Sequence, residues 1–290
     1  MGTTWRVLYA DRNAAADDVR AVIEARLDAI VDEMSHWLPT SQLCRFNAAT
    51  ARTWVSLPPD FASVVEIALR VATASAGAFD PTIGKLVDLW GFGPPGATPV
   101  PDDDAIAEAL AVSGWRRLRW DRSSRRLRQP GGLALDLSGI AKGFATDAIA
   151  DTLANIDIAH TLVEIGGELV GRGVQPSGEP WWVDLETPPG VALPPLRVAL
   201  HGLGVATSGR YVRGHHSLDG RTGRPAANDV ISVSVIARTA SLADALATAI
   251  AVGYPHFDAA EMDVAARIIV RDDRRVTEVL TPPLRDMLLI

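Results

Sequence analysis

Two short segments, about a hundred residues apart, constrain the fold and chemistry of this chain more than any other feature. Segment 135–143 reads LDLSGIAKG: an apolar run typical of a strand ends in an acid, and a small-residue turn leads into a helical pattern. A turn of this kind presents backbone amides and carbonyls to a charged ligand. Segment 242–249 reads LADALATA and predicts a helix.

Asp244 and Thr248 stand four positions apart in the second segment, so a helix places their oxygens on one face. A carboxylate and a hydroxyl one turn apart can hold a hard cation such as Mg2+, which prefers oxygen ligands. The competing interpretation is a solvated helix face. The alanines around the pair favour a tightly packed helix whose polar oxygens need a partner. Together, the two segments predict a metal-assisted phosphate site.

Composition excludes several classes of partner. The chain has 290 residues and a net charge of −7, which argues against nucleic acid or an anionic membrane surface as a partner. Its one cysteine, Cys44, excludes an internal disulfide and is most simply a small buried hydrophobe. No run approaches the roughly 18 apolar residues of a membrane span, and residues 1–11 lack a signal-peptide pattern. As the sequence is written, we expect a cytoplasmic protein without a membrane span.

Hydrophobic periodicity favours an α+β fold over a strictly alternating doubly wound fold, because the predicted strands form clusters and the helices are segregated between them. We expect one domain over residues 1–290. The predicted helices cover about 15–34, 59–75, 102–113 and 140–153, and a last helix-plus-strand pattern covers 242–270. The predicted strands cover 5–9, 161–165, 168–171, 181–186, 197–200 and 231–237, with a hairpin at 116–121 and 125–129 and a surface loop at 91–101.

Other motifs leave more than one interpretation open. The glycine-rich run 166–173 lies between strands and predicts a tight hairpin rather than a dinucleotide fingerprint. Asp80, followed by Pro and Thr, is typical of a turn. The polar loop 216–225 is either a plain surface loop or a ligand-facing one. Four aromatic residues belong either to the core or to a stacking surface, and the core is favoured: Trp37, Phe79, Trp90 and Phe92.

Taken in order, these motifs resemble the ApbE-type FAD:protein FMN transferases over nearly the whole chain. Each match alone is weak, but the set follows the family's order and spacing. The segments that carry the resemblance are 1–5, 34–47, 78–82, 136–143, 216–225 and 241–248.

The resemblance implies mixed or antiparallel sheets with packed helices, and an FAD cleft between two lobes in which Mg2+ bridges protein and pyrophosphate. The residues implied to contact FAD are Met1, Trp37, Ala78, Phe79, Asp80, Asp136 and Lys142. The implied metal ligands are Asp244 and Thr248 by side chain and a backbone carbonyl of the 139–141 turn, with Gly139 and Ala141 as the candidates.

The resemblance also implies the reaction. FMN is attached through a phosphoester to a Thr or Ser hydroxyl of an acceptor flavoprotein that carries an Asp-x-x-Ser/Thr-Gly-Ala-Ser/Thr motif, and AMP is released. Family members are often exported and membrane-anchored. Either Asp244 or His216 could accept the hydroxyl proton. Two other functions are open: an Mg2+-dependent FAD pyrophosphatase, which would use the same site with water as the nucleophile and yield FMN and AMP, and a non-catalytic FAD-binding protein, which would not require Asp244 and Thr248.

Overall fold

The computed structural model describes residues 2–11, 14–213, 217–257, 263–272 and 275–288, with the backbone alone at 212 and 213. The helices in this part of the chain are α1 (Ala16–Met34), α2 (Gln42–Ala48), α3 (Pro59–Ala74), α4 (Gly84–Leu89), α5 (Asp103–Val112), α6 (Ala141–Ala154), α7 (Arg210–Arg213), α8 (Ala240–Gly253) and α9 (Pro282–Leu288). The strands are β1 (Trp5–Tyr9), β2 (Trp54–Ser56), β3 (Arg119–Asp121), β4 (Arg126–Arg128), β5 (Thr161–Ile165), β6 (Glu168–Arg172), β7 (Trp181–Leu185), β8 (Leu196–Leu200), β9 (Leu203–Gly209), β10 (Leu218–Asp219), β11 (Arg224–Pro225), β12 (Val230–Ala237), β13 (Ala265–Asp272) and β14 (Arg275–Leu280).

The main sheet is antiparallel and has the strand order β1-β5-β6-β9-β12-β13-β14. The predicted hairpin at the glycine-rich run is confirmed, because β5 and β6 pair across Gly166 and Gly167, both with positive φ. Strand β12 is buried at six of its eight positions, as expected for a strand covered on both faces. The α+β prediction with mixed or antiparallel sheets is therefore confirmed.

The two faces of this sheet are covered differently. Helices α6 and α8 pack against one face, with α1 behind α6 and α3 behind α8. The β7–β8 ribbon and α9 cover the other face. Strand β7 can cover this face because it alternates buried Trp181 and Val183, on the side toward the sheet, with exposed Trp182 and Asp184.

Helix α8 is packed against backbone on both sides of its first turn. A Cβ at Gly143 in α6 would lie 2.2 Å from Ala240 O, and a Cβ at Gly204 in β9 would lie 2.3 Å from Ala240 N. Glycine at both positions therefore lets helix and strand backbones approach α8 more closely than any side chain would permit.

The first turn of α8 is also tied to α6 by a buried acid. Asp147 accepts hydrogen bonds from the backbone N–H groups of Ala240 and Ser241, each at 2.8 Å, and from the Ser241 hydroxyl at 2.8 Å. Thr239 caps the same helix by accepting from Leu242 N. A carboxylate at a helix N-terminus satisfies its free N–H groups and complements the helix dipole.

Some predictions were wrong or incomplete. The apolar run that ends at Asp136 is not a strand, since in the described residues this stretch makes only an isolated bridge between Ala134 and Ile83. Helices α2 and α4 and the central strand β9 were not predicted. Two glycines in β9 weaken its strand signal. Within the described residues, no helix is long and apolar enough to cross a bilayer.

Candidate active site

Asp244 meets the start of α6 in the protein interior. Its Oδ2 accepts a hydrogen bond from the backbone N–H of Gly143 at 3.1 Å, and the residue is only 6% exposed. Burial raises the pKa of Asp244, while the charge of Lys142 and the Gly143 hydrogen bond oppose that rise. The two segments singled out in the sequence are therefore joined through this carboxylate.

Thr248 lies against the turn that precedes α6. A Cβ built on Gly139 would lie 3.0 Å from Thr248 Oγ1 and 3.3 Å from Phe79 Cε2. Gly139 therefore leaves open the space in which the Thr248 hydroxyl, the Phe79 ring edge and the turn backbone converge. The helical spacing of Asp244 and Thr248 places both oxygens toward this turn.

Glu168 is a third ionisable residue beside Asp244 and Lys142, and no sequence motif pointed to it. Its Oε1 forms an ion pair with Lys142 Nζ, and its side chain is 1% exposed. Burial and the charge of Asp244 raise the pKa of Glu168 to about 8, against the opposing effect of Lys142. Among the described residues, Glu168 Oε2 has no hydrogen-bond partner. Nothing in the sequence shows which face of the hairpin strand this acid occupies.

The available donors suit a hard cation and not a soft one. The described residues contain no group of three or more His, Cys, Asp or Glu placed to hold a metal ion. Asp244, Thr248 and the carbonyls of the 139–141 turn instead offer a mixed set of carboxylate, hydroxyl and backbone oxygens. Two buried carboxylates, Asp244 and Glu168, lie near one ammonium group, and the pKa of each is raised because burial disfavours its ionised form; a bound cation would stabilise the ionised forms.

Asp136 orders the same turn from the other side. Its Oδ1 accepts from Ser138 N at 3.1 Å, and its Oδ2 accepts from Ser138 Oγ at 2.8 Å. His36 Nδ1 lies 3.1 Å from Asp136 Oδ1. Burial raises the pKa of Asp136, but the hydrogen bonds and charge of His36, together with the Ser138 bonds, outweigh it and leave the pKa lowered.

The aromatic prediction is correct for Phe79 and wrong for two others. Phe79 is 4% exposed, whereas Trp37 is 61% and Phe92 37% exposed. Trp37 tilts against the His36 ring at a centroid distance of 5.3 Å. Trp90 is half-buried and donates its indole N–H to Gly223 O at 2.8 Å. Trp37 is therefore open to a ligand.

Asp80 shapes the turn that follows Phe79, as its sequence context predicts. Its Oδ1 accepts from Thr82 N at 2.8 Å and from Thr82 Oγ1 at 2.6 Å, and its Oδ2 accepts from Trp115 N at 3.2 Å. Burial raises the pKa of Asp80 against these hydrogen bonds. Ala78 is buried beside Ala226 and Val252. The structure thus gives Asp80 a clear role in positioning the backbone.

The polar loop packs onto this turn. A Cβ on Gly220 would lie 3.1 Å from Asp80 Cβ. Asp219 accepts two hydrogen bonds from the Arg221 guanidinium, each at 2.8 Å. Two candidates, Met1 and His216, lie outside the described residues, as does His215. The described part of the loop is therefore fixed close to the Phe79–Asp80 backbone.

With a cation held by the oxygen donors, this arrangement could neutralise a phosphate-bearing ligand, and the exposed Trp37 lies open to an adjacent planar group. Comparison with known proteins bears on which ligand that is. A profile described as the ApbE family matches residues 1–264. A Klebsiella pneumoniae protein named FAD:protein FMN transferase is 36% identical over 310 residues, covering 100% of this chain and 87% of its own. A Haemophilus influenzae protein of the same name is 34% identical over 268 residues, covering 86% and 77%.

Solved structures give the same match. The flavin transferase ApbE from Vibrio cholerae superimposes with a TM-score of 0.92 at 32% identity, covering 99% of this chain and 96% of that one. The apo flavinyl transferase ApbE from Pseudomonas stutzeri superimposes with a TM-score of 0.91 at 32% identity, covering 99% and 93%.

Proposed function

The chain belongs to the ApbE family, and we propose that it is a FAD:protein FMN transferase that acts at the site around Asp244. The observation that carries the site assignment is the Asp244–Gly143 hydrogen bond, which joins the carboxylate of α8 to the turn at the start of α6. Curated relatives across almost the full chain bear the transferase name. The enzyme is therefore a transferase with FAD as its substrate.

The reaction transfers the FMN half of FAD to a hydroxyl oxygen of an acceptor. That oxygen bonds to the phosphorus on the FMN side, the P–O bond to the AMP half breaks, and AMP leaves with the bridging oxygen. The hydroxyl proton passes to a base. Asp244 and His216 are the two candidates for that base. Such a transfer depends on positioning and charge neutralisation more than on covalent catalysis by the protein.

Mg2+ fits the residues present. Asp244, Thr248 and a carbonyl of the Gly139–Ala141 turn would hold it, and the open space at Gly139 leaves room beside the Thr248 hydroxyl. When bound, the ion would neutralise pyrophosphate oxygens and so lower the cost of charge at the reacting phosphorus. The excess of buried carboxylates over ammonium groups supports this choice.

Different residues would contact different parts of FAD. Lys142, held by Glu168, offers positive charge at the phosphate side of the site. Phe79 packs against Gly139, and the exposed Trp37 offers a ring face to a planar group. Asp80 keeps the Ala78–Phe79 backbone in place through its turn. Asp136 orders the turn at Ser138. We include Met1 among the FAD contacts on the family pattern alone.

We further propose that the acceptor is a flavoprotein with a Thr or Ser in an Asp-x-x-Ser/Thr-Gly-Ala-Ser/Thr segment. Incubation of the protein with FAD and such an acceptor, followed by a denaturing gel, tests the assignment. The proposal expects flavin fluorescence on the acceptor band with Mg2+ and its loss when a chelator is added. An acceptor band without flavin, under conditions where FAD is bound, would contradict it.

A further inference from the structure

His36 is a half-buried side chain in which Nδ1 faces a carboxylate, while Nε2 has no hydrogen-bond partner in the part of the chain that the structure describes. Its Nδ1 faces Asp136 Oδ1 at 3.1 Å, and its side chain is 17% exposed. Among the described residues, Nε2 is buried and has no hydrogen-bond partner. An unsatisfied buried polar atom costs free energy, so a ligand group that hydrogen-bonds Nε2 would remove that cost. The Trp37 ring lies beside the His36 ring, with a centroid distance of 5.3 Å.

A pocket of about 300 Å³ opens beside this ring. Its lining includes His36, Cys44, Asn47, Lys85, Asp88 and Asp136. The wall is held rigidly, because Asn47 Nδ2 donates to Leu135 O at 3.0 Å and Leu135 N donates to Asn47 Oδ1 at 2.8 Å. This part of the pocket wall is therefore ordered by the protein's own hydrogen bonds.

The charges on the wall select against a phosphate. Asp136 and Asp88 line the pocket from two different segments, and Lys85, which is exposed, is the one Lys or Arg among the described residues of its lining. Burial lowers the pKa of His36, but the hydrogen bond and charge of Asp136, with the charge of Asp88, outweigh burial and raise it. Carboxylates repel phosphate and accept hydrogen bonds from hydroxyl groups.

A hydroxyl group also suits His36 in either protonation state. Neutral Nε2 accepts from a hydroxyl, and protonated Nε2 donates to one. We propose that His36 is a substrate-binding residue whose Nε2, together with Asp136, holds the hydroxyl-bearing sugar portion of the dinucleotide in this pocket. The inference rests on the proposed function for the identity of the dinucleotide. Two parts of FAD carry such hydroxyls: the ribose of its AMP half and the ribityl chain of its flavin half.

Two substitutions distinguish the contribution of His36 Nδ1 from that of Nε2. His36→Asn places an amide near the Nδ1 position and can keep the bond to Asp136, while it removes the atom at Nε2. His36→Gln reaches the Nε2 position and loses the Nδ1 bond. His201→Asn is the matched control, because His201 is exposed and its Nδ1 contacts Gly173 O, away from the pocket. Loss of one buried hydrogen bond should weaken FAD binding by about tenfold in His36→Asn.

Ligand pairs identify which sugar occupies the pocket. Affinities of AMP and its 2′,3′-dideoxy analogue report on the ribose, and those of riboflavin and lumiflavin report on the ribityl chain. For the occupying sugar, wild type should prefer the hydroxyl-bearing ligand by about tenfold, and His36→Asn should lose that preference. The KM for FAD should rise while kcat at saturating FAD is unchanged in His36→Asn, which a general loss of structure would not produce.

A measurement on the unmodified protein makes the test independent of variant folding. The nitrogen NMR shift of His36 Nε2 should move when FAD binds, whereas the shifts of His201 should not. Unchanged FAD affinity in His36→Asn, or an Nε2 shift that is insensitive to FAD, would overturn the proposal. A wrong transferase assignment would give a different result. Wild type would still bind FAD more tightly than His36→Asn does, but it would attach no FMN to an acceptor.

Discussion

The carboxylate of Asp244 accepts a hydrogen bond at 3.1 Å from the backbone N–H of Gly143, a residue 101 positions earlier in the chain. The contact is possible because α6 and α8 approach so closely that a Cβ on Gly143 would overlap Ala240 O. A flexible surface acid would have to be ordered when a ligand binds. Asp244 is already fixed beside the turn, which reduces that cost.

Removing the charge of Asp244 should remove transfer. In Asp244→Asn, the side chain keeps its size and an oxygen that can accept from Gly143, but it cannot neutralise a cation. We expect transfer to fall by at least about a hundredfold, because loss of a charged ligand at a phosphoryl-transfer site costs several kcal/mol. Initial rates at saturating Mg2+ measure this. Asp151→Asn, at an acid in α6 with 68% side-chain exposure, is the control and should retain its rate.

Thr248 should contribute less than Asp244, because it offers a neutral oxygen that water can replace. Thr248→Ser keeps the hydroxyl and should stay close to wild type, whereas Thr248→Val removes it at nearly constant shape. We expect Thr248→Val to raise the Mg2+ concentration needed for half-maximal transfer. A Mg2+ dependence identical in both variants would remove Thr248 from the metal site.

Gly143→Ala should destabilise the fold, although the same change in an exposed helix interior stabilises it by about 1 kcal/mol. The added methyl would lie 2.2 Å from Ala240 O, so α6 and α8 must separate. We expect a loss of roughly 1–3 kcal/mol in the free energy of unfolding, as for other overpacked sites. Urea denaturation measures it. An unfolding free energy equal to or above that of wild type would show that the helices are not in this contact.

Glu168 should make the unligated protein less stable as pH rises. Its folded pKa of about 8 lies above the ordinary 4.5, so the folded state retains a proton that the unfolded chain has released. Between these values the unfolding free energy should fall with increasing pH, and it should level off above about 8. Glu168→Gln removes this titration. Denaturation at several pH values without Mg2+ should therefore give a flatter profile for the variant than for wild type.

AMP release should depend on the acceptor. A transferase must exclude bulk water from the reacting phosphorus, since hydrolysis wastes FAD. The loop that packs on Asp80 is the candidate barrier. We expect slow AMP release from FAD alone, clear acceleration by an acceptor with the target Thr, and no acceleration when that Thr is Ala. Rapid AMP release that ignores the acceptor would identify a pyrophosphatase instead.

Local sequence patterns predicted the parts of the site that lie within one element. Helical spacing placed Asp244 and Thr248 on one face of α8, and the small residues after Asp136 marked the turn into α6. These features depend on neighbouring residues and on backbone geometry, so a single segment contains the information. The glycine-rich hairpin between β5 and β6 was predictable for the same reason.

Contacts between distant segments could not be predicted this way. The Lys142–Glu168 ion pair depends on how α6 lies across β6, and neither segment indicates that crossing. Asp147 gave no sign that it caps a helix 93 residues away. The pattern also favoured burial for Trp37, because hydrophobicity alone does not show that its ring is 61% exposed. The family pattern places Trp37 among the FAD contacts, and that assignment stays a prediction.

The intact mass of an acceptor protein tests the central claim most directly. The acceptor is incubated with the enzyme, FAD and Mg2+, and then weighed by mass spectrometry beside the same acceptor with its target Thr replaced by Ala. We predict a mass gain of one FMN on the first acceptor, with an equal amount of AMP released, and none on the second or with Asp244→Asn enzyme. An acceptor of unchanged mass in the presence of bound FAD would contradict the assignment.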